Sequence, residues 1–129
     1  MQITAKWSHP TMSPLFRRLQ PACKFRITVG QIARMLGIPK SSIVRVACWD
    51  YVIFVHRRDR GGQFISYRQL EQWRRAIASQ VQQCATLQQL EQLWSELTQD
   101  CQKYHKQYKN SVLPFLETIK AQREEAIAS

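Results

Sequence analysis

Residues 28–47 read TVGQIARMLGIPKSSIVRVA, and how they fold decides the rest of the chain. Val29, Ile32, Ala33, Leu36, Ile38, Ile43 and Val46 recur mostly at spacings of three and four, the period of helices that bury one face. Thr28 with Gln31 three residues on is a capping box, which gives the first helix a defined start. Ala33 is small at mid-helix, where a second helix has to cross closely. Gly37 suits the left-handed backbone that ends a helix. Ile38 then plugs the turn. A second short helix is expected from about Pro39 to Ala47, with Lys40, Ser41, Ser42, Val44 and Arg45 exposed along it.

The charge is concentrated around this stretch. The 129-residue chain has a net charge of +10. Residues 1–75 hold 14 Lys/Arg and 3 Asp/Glu, a balance of +11, whereas residues 76–129 hold 5 and 6, a balance of −1. A basic half of this kind is the electrostatic footprint of a phosphate-binding surface. An anionic membrane would attract the same charge, but the basic half has no long basic amphipathic helix.

Composition narrows the class further. An apolar fraction of 44% supports a core, and no run reaches the roughly 18 apolar residues of a bilayer span. The N-terminus lacks a secretory pattern. Cys23, Cys48, Cys84 and Cys101 are far apart, as are His9, His56 and His105, so no metal-ligand spacing appears. Reduced thiols in a cytoplasmic protein are expected. Catalysis is poorly served. There is no phosphate-cradling Gly-rich loop, G-x-S-x-G or H-E-x-x-H, and Asp50 and Asp59 are the only acids before Glu71. No catalytic residue, metal, cofactor or small-molecule effector is assigned.

Downstream of the central stretch, Tyr51–Val55 is a run of β-branched and aromatic residues that favours a strand. Gly61-Gly62 permit a hairpin turn, and Gln63-Phe64-Ile65 return. The tip carries Arg57, Arg58 and Arg60. Ser66 with Gln69 forms a second capping box, opening a helix lined by Leu70, Trp73, Ala76, Ile77 and Val81, with Arg68, Arg74 and Arg75 elsewhere on it. Upstream, Lys24–Thr28 could form a short strand. Residues 1–23, broken by Pro10, Pro14 and Pro21, form an arm that packs Phe16 and Leu19 onto the core. The alternative is a basic arm lying along nucleic acid.

The run IARMLGIPKSSIVRV resembles the helix-turn-helix of bacterial DNA-binding proteins, matching at Ala33, Gly37, Ile38, Ile43 and Arg45 and departing at Pro39. The order helix, helix, wing, then F-I-S-Y-R-Q-L-E-Q-W resembles the winged helix-turn-helix of MerR-type regulators and excisionases over about residues 25–78. Val46–Asp50 departs from the MerR pattern. The resemblance implies a double-stranded DNA-binding regulator, a repressor occupying promoter DNA. Lys40, Ser41 and Arg45 would then read bases, while Ser42, Arg57, Arg58, Arg60 and Arg68 would grip the backbone. The alternatives are an excisionase-like DNA-bending factor and a protein-interaction adaptor that binds no DNA.

Beyond a break at Cys84-Ala85, Thr86 and Gln89 form a third capping box. Leu87, Leu90, Trp94, Leu97, Cys101, Tyr104 and Tyr108 then trace a helix-packing seam. The seam either folds back on the same chain or pairs with a second copy. Homodimerisation is the expectation, as the MerR resemblance also implies. A last helix has Pro114 in its first turn. The expected fold is therefore mainly α with a small β-wing: an arm over 1–23, a winged helix-turn-helix domain over 24–84 and a helical dimerisation region over 85–129.

Overall fold

The computed structural model describes residues 13–129. The expectations placed on His9, Pro10 and the start of the arm lie outside the described residues. The chain is mainly helical with one small three-stranded antiparallel sheet. It divides into two compact units: Gln20–Tyr67, and a helical unit that joins residues up to Leu19 with Arg68–Ser129. The break at Cys84–Thr86 is thus a corner inside the helical unit and not a domain boundary.

The sheet unit opens with α2 (Pro21–Lys24), after α1 (Pro14–Leu19) of the helical unit. Residues 25–28 are irregular, not a strand. Helix α3 (Val29–Leu36) starts as its capping box prescribes, with Gln31 N–H donating to Thr28 Oγ1 at 3.1 Å. It ends at Gly37, whose φ of 68° is left-handed, and Ile38 N–H reaches back to the Ala33 carbonyl at 3.0 Å. That pairing ties off the orphan carbonyls of the last turn.

The second helix expected over Pro39–Ala47 does not form. Pro39 is extended, Lys40–Ser42 makes a single 3₁₀ turn, and Ile43–Cys48 is strand β1. The reason lies in a β-bulge. Ile43 pairs with Arg57 and Arg45 with His56, so the register shifts between them. One extra residue restores Ile43 and Val46 to the same face of the strand. An apolar spacing of three, which reads as helical, is here a bulged strand. The β-branched Ile43, Val44 and Val46 favour the extended form.

Strands β2 (Ile53–Arg57) and β3 (Gly61–Ile65) complete an antiparallel meander in the order β1-β2-β3. The expected hairpin is present, but its turn is Arg58–Arg60 and both glycines already belong to β3; only Gly61, at φ 76°, takes the left-handed backbone. Ile53, Val55 and Ile65 point inward and are buried with Ile32, Ala33 and Ile43, and α3 packs against β1.

The helical unit is organised by a buried ion pair. Arg68 Nε and Nη2 each donate to Asp100 at 2.7 Å, and both side chains are shut away from solvent. Ser13 Oγ donates to Asp100 at 2.5 Å, Tyr108 OH also donates to it, and Trp73 Nε1 donates to Tyr108 OH at 3.1 Å. The guanidinium lies 3.9 Å from the Tyr104 ring centroid, with Phe16 and Trp73 at 5.2 and 5.1 Å. Arg68 is therefore a core residue and not a backbone grip for DNA.

Around this pair pack α1, α4 (Glu71–Gln83), α5 (Leu87–Lys103) and α6 (Val112–Ala128). A 3₁₀ turn over Tyr67–Gln69 precedes α4, so the α-helix starts at Glu71, later than the Ser66 capping box implies. The Thr86 box holds: Gln89 N–H donates to Thr86 Oγ1 at 3.1 Å, and Ala85 N–H to Gln89 Oε1 at 2.7 Å. Leu15, Phe16 and Leu19 of α1 are buried, as the packed-arm expectation has it. Arg18 fixes α1 to α5 through a two-pronged contact with Glu96 at 2.8 Å, which holds that carboxyl below its ordinary range.

The seam expected to join two copies is used inside one chain. Leu90, Leu97 and Cys101 are buried together with Leu93. Tyr104 stacks on Arg68, Tyr108 bonds Asp100, and Trp94 lies under Lys120. Only Leu87, at 47% exposure, is left facing out among the large aliphatic residues of the seam. A helix terminus at Lys103 and a 3₁₀ turn over His105–Gln107 interrupt the seam before Tyr108.

Two measurements check this arrangement. Removing one partner of the pair, as in Arg68→Met or Asp100→Ala, should cost about 3–5 kcal/mol in urea unfolding, because the other charge is left buried alone. The Arg68→Met/Asp100→Leu double variant should recover a large part of that loss. In thiol labelling at pH 8, exposed Cys23 and Cys48 should react first. Cys101, whose thiol burial pushes up to about 11, should react together with buried Cys84 only on unfolding.

Candidate nucleic-acid interface

Gln20–Tyr67 holds eight Lys/Arg against Asp50 and Asp59, a net charge of +6. Seven of the eight are exposed: Lys24, Arg26, Arg34, Lys40, Arg45, Arg58 and Arg60. Arg57 is the exception. Strand alternation turns it inward, where it is 6% exposed and donates to Asp59 at 3.0 and 2.9 Å and to Gln63 at 3.1 Å. It also holds the Asp59 carboxyl below its ordinary range. Arg57 is thus an internal brace of the hairpin and not a phosphate contact. Arg58 stands outside, with its backbone N–H on the Ser42 carbonyl at 2.9 Å and its Nε on the Ser41 carbonyl at 3.0 Å. Arg60 is exposed at the tip.

The residues expected to read bases are dispersed over different elements. Lys40 and Ser41 are exposed on the 3₁₀ turn, Ser42 is half-buried there, and Arg45 is exposed on β1. They form no single helical face. Arg45 instead joins a surface that sequence reasoning missed, the outer side of the sheet. Registered partners in an antiparallel sheet share a face. Arg45, His56 and Gly62 therefore form one outward row, and Ala47, Phe54 and Phe64 the next.

Trp49 joins the second row from the β1–β2 turn. Its ring stacks on Phe54 with centroids 5.4 Å apart and planes within 9°. Phe64 meets Trp49 at 5.5 Å and Phe54 at 5.6 Å, edge to face in each case. Two features hold this cluster. The Tyr67 hydroxyl donates to the Trp49 carbonyl at 2.6 Å, and burial pushes that phenol far above its ordinary range. Gly62 leaves space for the Phe54 ring, since a Cβ there would lie 2.7 Å from it. Alternation was the available signal: with Ile53 and Val55 inward, Phe54 and His56 must face out.

No family model matches the chain, and no similar protein was found among curated sequences or solved structures.

Gly62→Ala tests the cluster's geometry. The added methyl should displace the Phe54 ring, alter the near-ultraviolet circular dichroism of the Trp49–Phe54 pair and cost about 1 kcal/mol. An unchanged spectrum would mean that the ring does not lie over residue 62.

Proposed function

We propose that Gln20–Tyr67 is a nucleic-acid-binding module whose contacting element is the sheet and its hairpin tip. One observation carries this reading: seven exposed Lys/Arg on a 48-residue unit with only two acids. Such a surface neutralises phosphates and releases their counterions. Arg58 and Arg60 supply charge at the tip, and Arg45 supplies it on the outer face beside His56. Promoter occupancy by a repressor has no reading helix behind it, because residues 43–48 are a strand. Sheets also serve as contacting elements for nucleic acid, so the basic unit keeps its role with a different element.

The test is salt dependence. Affinity for a short oligonucleotide should fall about tenfold or more between low and moderate salt if several phosphates are contacted. Arg60→Ala should reduce the slope of log affinity against log salt by about 1, with the melting temperature unchanged. Arg57→Ala should act the other way, lowering stability first, since it removes the hairpin brace. Absence of binding to any nucleic acid at low salt removes the proposal.

A further inference from the structure

The aromatic row on the outer sheet face does nothing for the core of its own unit, which lies on the opposite side with Ile53, Val55 and Ile65. Phe64 is 58% exposed and Trp49 46%. Single exposed aromatics are ordinary on a protein surface, but here three rings touch one another, and the Tyr67 hydroxyl and the space over Gly62 keep them in place. Ala47 leaves the β1 end of the row low. One row along the strands, about 7 Å away, Arg45 and His56 face the same way.

Charge decides what can cover this face. A second copy would bring another +6 unit against the first, and like charges repel. A polyanion with flat apolar groups fits both rows. Bases offer their π-faces to side chains only when they are unpaired, since in a duplex each face is already stacked. We propose that Trp49 and Phe64 stack unpaired bases of a single-stranded nucleic acid, with Arg45 and His56 lying along its backbone. This rests on the reading of Gln20–Tyr67 as a nucleic-acid-binding module and names the form of nucleic acid it takes.

The test compares a labelled oligothymidylate of about 15 nucleotides, within the range that single-strand binders occupy, with a duplex of equal length. Binding to the full chain is followed by fluorescence anisotropy at low salt. The single strand should bind at least tenfold more tightly. Phe64→Leu and Trp49→Leu should each weaken it about tenfold and leave duplex binding unchanged, whereas Phe64→Tyr, which keeps a ring, should bind as the natural protein does. Phe64 is exposed, so Phe64→Leu should melt at an unchanged temperature. Equal affinity for both forms overturns the stacking proposal while leaving the module a nucleic-acid binder. So does a Phe64→Tyr variant that binds no better than Phe64→Leu. Binding by neither form removes both readings.

Discussion

Two charges without solvent hold the helical unit together. Burying Arg68 and Asp100 separately would be costly, and burying them together is tolerable only because their hydrogen-bonding groups are taken up. Asp100 receives the two-pronged guanidinium and the hydroxyls of Ser13 and Tyr108. The guanidinium faces are covered by Tyr104, Phe16 and Trp73. The partners come from α1, the approach to α4, α5 and the turn beyond it. Apolar packing tolerates small slips, but a planar fork on a carboxylate does not. The pair therefore fixes the relative register of these segments as well as their proximity.

Arginine in this chain has no single role, and geometry sorts the copies. Arg68 is core and Arg57 is a brace, whereas Arg45, Arg58 and Arg60 remain at the surface. Neighbouring Arg57 and Arg58 differ because successive strand residues face opposite sides. Net charge alone overstates the surface available to a polyanion, and the surplus that matters is what remains after the inward arginines are set aside. The same alternation separates Phe54 from Val55 and makes a single strand serve core and surface together.

Local signals in the sequence were legible, and signals that depend on partners were not. Thr28, Gly37 and Thr86 act within a few residues, and each does what its type dictates. The hairpin across Gly61 is likewise local. The bulge in β1 could not be read from periodicity, because it lets Ile43 and Val46 imitate a helical face, and only pairing with β2 distinguishes the two. Arg68 and Asp100 are 32 residues apart, and each looks like an ordinary solvated charge until the other is placed. The seam of α5 was visible, but its apolar rhythm carries no mark of whether its cover is α1, α4 and α6 of the same chain or another molecule. The outer aromatic row was hidden by its composition, since phenylalanine in a strand is first taken as core.

The helical unit is discontinuous: α1 precedes the sheet unit and the remaining helices follow it. During synthesis the contacts of the two units consequently become available in a fixed order. Every strand pairing of the sheet unit lies within Ile43–Ile65 and becomes possible as soon as that segment clears the ribosome. The helical unit must wait, because Ser13 and Arg68 have no carboxylate to meet until Asp100 emerges. In that interval α1 presents Leu15, Phe16 and Leu19 with no helices to cover them. A chain made only as far as Ile65 thus contains every strand pairing of the sheet, while Leu15, Phe16 and Leu19 of α1 still lack the helices that cover them, the kind of surface that chaperones shield.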